Sequence, residues 1–249
     1  MKTDRREFLK FMVGGAAVAA TTAVMVPTEE AMAANPDEPS ESSHRWGMLI
    51  DLRKCIGCQA CSVACSMEND VPLGYHRTIV STYEIDFGDT ARRATLPRLC
   101  NHCENPPCVE VCPTQATYKR GDGIVVVDNE VCIGCAYCVQ ACPYDARYIN
   151  PETHTADKCT FCVHRTEAGL LPACVETCVG GARIFGDLND PNSEINQLLK
   201  EHATQVLKPE MGTDPRVFYI GLSDYLQAKV NGEPVPWTEE ELKKELAQP

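Results

Sequence analysis

The chain has 249 residues, room for one large domain or two small ones, and it carries 16 cysteines. Its 23 basic and 35 acidic side chains leave a formal charge of −12, with no basic stretch interleaved with aromatics, which argues against nucleic acid as a partner. Aromatic content is 6%, and 17 prolines with 16 glycines describe a loop-rich chain. Such a chain needs staples beyond its apolar core, and the cysteines are the candidates, as disulfides or as metal ligands.

Residues 1–33 differ from the rest. "TDRREFLK" leads into an apolar, Ala- and Gly-rich run from Phe11 to Val26 and then "TEEAMA". Arg5-Arg6 followed by Phe8-Leu9-Lys10 resembles a twin-arginine export signal, with Ala31-Met32-Ala33 as an A-x-A cleavage site. Asp4 departs from the Ser or Thr usual there. The apolar run is short of the about 20 residues that span a membrane, so the segment predicts a cleaved signal in preference to a retained anchor. Four acidic residues balance four basic ones in it, and the remaining chain keeps the whole −12. After residue 46 no apolar run approaches membrane length. The expected location is the periplasm, with attachment to the inner membrane supplied by a partner subunit.

A polar linker, residues 34–45, precedes four cysteine quartets. Cys55, Cys58, Cys61 and Cys65 read C-x2-C-x2-C-x3-C; Cys100, Cys103, Cys108 and Cys112 read C-x2-C-x4-C-x3-C. Cys132, Cys135, Cys138 and Cys142 repeat the first spacing, and Cys159, Cys162, Cys174 and Cys178 read C-x2-C-x11-C-x3-C. The regular spacing lets the chain curl round one corner of an iron–sulfur cubane, while the fourth cysteine typically lies on the following helix and ligates a second cluster. Soft thiolates suit such clusters, and Pro113 and Pro143 give the inner quartets a C-P ending. Zinc usually takes two separated C-x2-4-C pairs, and the last quartet taken alone suits zinc as well. A disulfide scaffold explains an even count but not two quartets of identical spacing. No C-x-x-C is followed by His, so c-type haem attachment is out.

"MLIDLRKCIGCQACSVAC" and "VVVDNEVCIGCAYCVQAC" are one half-ferredoxin used twice: an apolar strand, an Asp (Asp51, Asp128), then Cys-Ile-Gly-Cys and a helix start. Between the second and third quartets "ATYKRGDGIVVVD" predicts a hairpin around Gly121-Asp122-Gly123. A complete two-cluster ferredoxin is therefore expected over residues 98–150. Neither outer quartet has the C-P ending, since Ser66 follows Cys65 and Val179 follows Cys178. The expected fold is α+β, with this inner module inserted between the halves of an outer one, residues 46–97 plus 151–190. Residues 191–249 form a small C-terminal extension in which "SEINQLLKEHA" and "TEEELKKEL" read as helices and "RVFYIGL" as a strand.

Over Met48 to Gly186 this nested pattern resembles the electron-transfer (beta) subunits of the dimethyl sulfoxide reductase group of molybdopterin enzymes. The residues between the cysteines, in "LPRLCNHCENPPCVEVCPTQAT" and "TADKCTFCVHRTEAGLLPACVETCVGGARIFGD", and the "VLKPEMGTDPRVFYIGL" tail look like the tetrathionate-reducing branch of that group. The resemblance implies four [4Fe–4S] clusters, held by Cys55, Cys58, Cys61 and Cys178; by Cys65, Cys159, Cys162 and Cys174; by Cys100, Cys103, Cys108 and Cys142; and by Cys112, Cys132, Cys135 and Cys138. It implies electrons passing from a quinol-oxidising integral membrane subunit to a molybdopterin catalytic subunit, with thiosulfate, polysulfide or nitrite as alternative acceptors. Export of already folded protein by the twin-arginine route suits clusters acquired in the cytoplasm. The rival classes are a zinc- or disulfide-stabilised structural protein and a soluble ferredoxin acting alone.

No catalytic residue is expected: nucleophile elbow, P-loop and G-x-G-x-x-G patterns are missing from the sequence. His102 and His164 read as surface or hydrogen-bonding residues, because four cysteines per cluster leave no vacancy. Lys54 and Lys158 each precede a first cysteine, placing positive charge near an anionic cluster or standing solvated at a loop edge. "ENPPC" reads as a turn that accommodates the x4 gap, and Gly180-Gly181 as the end of a helix carrying Cys178. The loop "VHRTEAGLLPA" is expected to expose Leu170, Leu171 and Pro172 at its tip.

Overall fold

The computed structural model describes residues 43–86, 91–223 and 226–227. The export signal, nearly all of the linker and the "TEEELKKEL" helix lie outside the described residues. Strand β1 (Trp46–Asp51) is apolar up to its final Asp51 and buried from Gly47 onward, as suits a strand covered on both faces. It is central in a four-stranded sheet ordered β8-β1-β10-β9, with β8 Arg183–Asp187, β9 Thr204–Gln205 and β10 Val217–Ile220. Strand β8 runs antiparallel to β1, pairing Phe185 with Met48, and β10 runs parallel to it, pairing Val217 with Met48. The strand leading into the first quartet thus bonds the strand leaving the last one.

Three antiparallel hairpins complete the strands: β2 (Thr78–Asp86) with β3 (Ala91–Leu99), β4 (Thr117–Lys119) with β5 (Val125–Val127), and β6 (Arg147–Ile149) with β7 (Ala156–Lys158). The middle one is the hairpin expected around Gly121-Asp122-Gly123. The first, between the first two quartets, has no counterpart in the sequence reading. Helices near the cysteines are short: α1 (Ala60–Glu68) has nine residues, while α2 (Pro107–Glu110), α3 (Tyr137–Gln140), α4 (Val163–Thr166) and α5 (Ala173–Glu176) have four each.

The backbone repeats with the quartets. The second residue inside the opening C-x-x-C of each quartet is left-handed: Gly57 at φ 70°, His102 at 43°, Gly134 at 68° and Phe161 at 52°. Three residues past the fourth cysteine a left-handed residue recurs, Gln115, Asp145 and Gly181, and an Ala then leads into β4, β6 and β8. Only Cys65 of the fourth cysteines lies within a helix; Cys112, Cys142 and Cys178 follow theirs. Helix α5 already ends at Glu176, so Gly180 and Gly181 shape the turn into β8 and do not cap a helix bearing Cys178. A single α-helical turn is too short to carry both cysteines of a C-x3-C and the turn that follows.

Residues 194–220 are built into the sheet. Helix α6 (Glu194–Glu201) lays Ile195 against Leu49, Ile184 and Ile220, and β10 contributes Val217 and Tyr219, both fully buried. The Tyr219 hydroxyl donates to the Pro97 carbonyl at 3.0 Å, tying β10 to the β2–β3 hairpin. Thr213 and Asp214 accept backbone bonds from Asn105 and Glu104 at 3.1 and 2.8 Å, so the C-terminal segment also holds the "ENPPC" turn. Among the described residues no helix is long and apolar enough to cross a membrane.

Candidate iron–sulfur centres

None of the sixteen cysteines is joined in a disulfide. One cavity is walled by Cys55, Cys58, Cys61 and Cys178, with Lys54, Gly57, Val80, Pro97, Gly180 and Arg183 completing it. A second is walled by Cys65, Cys159, Cys162 and Cys174, with Asn69, Arg77, Thr78, Leu99, Phe161 and Pro172. Each gathers three cysteines of one outer quartet and the remaining one of the other. Two contacts bring these segments together: α1 packs on α5, and β1 pairs with β8.

Cys100, Cys103, Cys108 and Cys142 form a third group. The Cys103 thiol is pushed to about 12 by burial and then by the negative potential of Cys100, Cys108 and Cys142. The fourth expected set is less drawn together. Cys132 and Cys138 share an apolar cluster with Val125 and Ala156, Cys135 is exposed, and the Cys112 sulfur is engaged by Thr114 and by the Thr117 amide at 3.4 Å.

The buried sulfurs sit where an anion would need a cation beside it. Burial and then neighbouring thiolates push Cys65 to about 12, burial raises Cys108 to about 11, and burial lifts Cys159 well above its ordinary value. Buried thiols crowded in this way resist ionisation until a metal supplies positive charge. Amide donors meanwhile point at the sulfurs: Ala182 to Cys178 at 3.2 Å, Ala156 to Cys132 and Phe161 to Cys159 at 3.4 Å. Asn69 Nδ2 donates to both Cys65 and Cys162, at 3.7 and 3.8 Å. Beside Cys100 and Cys103, the Asn101 amide and His102 Nε2 are buried without a hydrogen-bond partner among the described residues. Among those residues no three His, Cys, Asp or Glu side chains converge on a single ion. Zinc draws its sulfurs to about 2.3 Å from one point, whereas a cubane spreads them around a larger body. The donor set fits iron–sulfur clusters.

Comparison with known proteins agrees. Residues 92–188 match the model of a 4Fe-4S dicluster domain, and residues 46–67 that of a 4Fe-4S binding domain. The chain is 56% identical to a tetrathionate reductase subunit of Salmonella typhimurium, over 96% of this chain and 97% of that one. It is 43% identical to a putative dimethyl sulfoxide reductase iron–sulfur subunit of Halobacterium salinarum, over 81% and 86% of the two chains. To the arsenate respiratory reductase iron–sulfur subunit of a Shewanella species it is 40% identical, over 71% and 96%. The chain belongs to this family of reductase iron–sulfur subunits.

Within this iron–sulfur subunit the two lysines noted in the sequence part company. Lys54 is exposed, whereas Lys158 is 1% exposed and donates to the carbonyls of Val125 and, at 2.8 Å, Cys159. Burial pulls the Lys158 ammonium down, against the Cys100, Cys159 and Cys108 thiolates that push it up. His164 is an exposed partner of Glu68, at 2.8 Å. His102 is no surface residue but a hydrogen-bonding one: it is fully buried, its ring tilted by 31° against Phe161 with centroids 3.8 Å apart, and its Nδ1 accepts from the Val125 amide. Burial, then Lys158, Arg147 and Arg216, hold it well below the usual histidine range, so it is neutral. Leu170 and Leu171 are exposed as expected, but Pro172 is buried against the second cavity.

Sequence reasoning missed Arg147 and Arg183. Both are buried and face sulfurs: Arg147 Nη2 donates to Cys108 Sγ at 3.0 Å, and Arg183 lines the first cavity while pulling the Cys174 thiol down against the burial that raises it. The signal was present. Each stands five residues past a fourth cysteine, in "CPYDAR" and "CVGGAR".

Proposed function

We propose that this chain relays single electrons through four [4Fe–4S] clusters, from a quinol-oxidising subunit of the inner membrane to a molybdopterin catalytic subunit that reduces tetrathionate in the periplasm. The ligand sets are the four quartets with their fourth cysteines exchanged: Cys178 with Cys55, Cys58 and Cys61; Cys65 with Cys159, Cys162 and Cys174; Cys142 with Cys100, Cys103 and Cys108; and Cys112 with Cys132, Cys135 and Cys138. The observation that carries the reading is the first cavity, where the last cysteine of the chain stands with the first three. An inner ferredoxin module nested in an outer one accounts for that meeting, and the β1–β8 pairing supports it.

When bound, each cluster supplies reversible one-electron storage at a potential set by charge, hydrogen bonds and exposure. The chain's own part is to present soft thiolates, aim amide donors at them and exclude water. Identity over nearly the whole length with a tetrathionate reductase subunit supports tetrathionate as the acceptor. The periplasmic location and export in the folded state rest on the N-terminal motif and on the cluster-bearing core.

Anaerobic purification from the native host tests the reading. It expects about sixteen iron atoms and as many acid-labile sulfides per chain, co-purification with a catalytic subunit, and tetrathionate-dependent oxidation of a reduced dye. Zinc in place of iron would end it. A complex that turns over only thiosulfate, polysulfide or nitrite would retain the relay and replace the substrate.

A further inference from the structure

We propose that Arg183, Lys158 and Arg147 are the junction charges of this relay, one between each pair of neighbouring clusters, and that each raises the potentials of the two centres it separates. The inference rests on the four-cluster reading. Arg183 walls the first cavity together with Cys61, and its charge also acts on Cys174 and Cys159 of the second. Its Nη2 donates at 2.8 Å to Thr78, a residue lining the second cavity. Lys158 donates to the carbonyl of Cys159, of the second set, at 2.8 Å and to that of Val125, which shares an apolar cluster with Cys108 of the third; the Cys100 and Cys108 sulfurs act on its charge as well. Arg147 donates to Cys108 of the third set at 3.0 Å and also faces Cys138 of the fourth. The cations therefore alternate with the proposed centres along the chain of clusters.

Their surroundings single them out. They are 3%, 1% and 6% exposed, and none is paired with a carboxylate among the described residues. Their remaining hydrogen bonds go to neutral groups: Thr78 and Met48 Sδ for Arg183, Thr117 for Arg147, and two carbonyls for Lys158. Arg77, also against the second cavity, is by contrast neutralised by Asp157 at 2.8 Å. A buried cation without a counter-charge is costly, and the missing counter-charge is the thiolate-ligated cluster itself. Reduction adds one electron to the cluster and changes nothing in the cation. The cation stabilises the more negative form, which raises the potential. Placed at a junction, one charge lifts donor and acceptor together and leaves the step between them level.

The test is a redox titration of the anaerobically purified holoprotein, followed by electron paramagnetic resonance, for wild type, Arg183→Gln, Lys158→Met and Arg147→Gln. In each variant two of the four transitions are expected to move down, the reduced fraction at fixed potential falling about tenfold, which is about 59 mV for one electron. The overlaps need no prior assignment of signals. Arg183→Gln and Lys158→Met share one shifted centre, Lys158→Met and Arg147→Gln share one, and Arg183→Gln and Arg147→Gln share none. Arg183→Lys and Arg147→Lys keep the wild-type potentials. Unmoved potentials, a uniform shift of all four, or a centre common to the two arginine variants would overturn the proposal. Where a glutamine variant does not load, Thr78→Val and Thr117→Val loosen the guanidinium and expect the same pairs at smaller amplitude; unmoved potentials there also overturn it. Iron and sulfide content of the wild type separates this outcome from failure of the four-cluster reading.

Discussion

Replacing Gly180 by alanine probes the contact that closes the first centre. A β-carbon on Gly180 would stand 2.3 Å from the Lys54 carbonyl oxygen, where even weak C–H···O contacts settle at about 3.3–3.6 Å. The two backbones must therefore part by about 1 Å. Lys54 adjoins Cys55, Gly180 lies two residues past Cys178, and all four line the first cavity. The opening thus pulls apart proposed ligands of one centre that come from distant parts of the sequence. Overpacking of this kind costs about 1–3 kcal/mol, and about 2–4 °C in Tm per kcal/mol in a domain of this size. Gly181→Ala is the control: it has φ +59° with nothing within 4 Å of a β-carbon, so it pays only the left-handed strain of about 1–2 kcal/mol. Anaerobic scanning calorimetry with iron analysis should find both variants less stable but only Gly180→Ala short of one cluster's iron. Full iron in Gly180→Ala, or an equal loss in Gly181→Ala, would refute the reasoning.

Tyr219→Phe leaves the buried Pro97 carbonyl without its donor and should cost about 1–3 kcal/mol, read as a fall in Tm with unchanged iron content; an unchanged Tm would mean that the bond at 3.0 Å adds nothing. Glu104 is half-buried and bound by Arg45, Lys119 and Arg216; partial burial works to raise its carboxyl, but bonds from Lys119 and Arg216 outweigh that and hold it at about 2. A carboxyl depressed on folding contributes stability that is complete above its unfolded pKa of about 4.3 and is lost as pH falls toward the folded value. The Tm gap between wild type and Glu104→Gln should accordingly stay constant from pH 8 to pH 5, and a gap already closing at pH 6 would contradict the assignment. Arg183→Gln should reverse sign with loading: destabilising in the holoprotein, where the charge faces a cluster, and neutral or stabilising in chelator-stripped protein, where it is buried without a counter-ion. Equal Tm shifts in the two forms would count against that.

What the sequence made legible was local. Cysteine spacing, the repeated Cys-Ile-Gly-Cys and the hairpin at Gly121-Asp122-Gly123 are set by neighbours in the chain, and each is found where it was expected. The meeting of Cys178 with Cys55, Cys58 and Cys61 was reached through the fourth-cysteine exchange typical of ferredoxins. The β2–β3 hairpin went unread although "TIVSTYEID" is rich in β-branched residues. The role of "RVFYIGL" was hidden for another reason: a strand is visible in its pattern, but not that it runs parallel beside β1. That pairing joins segments separated by nearly the whole described chain, and no local signal encodes it. Lys158 shows the same limit. Its position before a first cysteine was plain, while its burial brings it to the Val125 carbonyl, which arrives from another segment.

The charge of the molecule is divided by depth. The chain as a whole is acidic at −12, yet its interior holds Arg183, Lys158 and Arg147 without carboxylate partners among the described residues, near thiols that burial keeps from ionising. Hydrophobic packing alone does not relieve that arrangement, since each buried cation keeps its desolvation cost wherever the neighbouring sulfur stays protonated. Binding of a cluster removes both penalties at once: the metal turns thiols into thiolates, and the anionic assembly becomes the counter-charge of the cation beside it. Loading and stability of the core are then linked, the stripped fold being the weaker of the two. A chain built in this way is best completed where clusters are made, which under the proposed export precedes the membrane. That preference gives a physical reason for the folded-state export proposed from the paired arginines at its N-terminus.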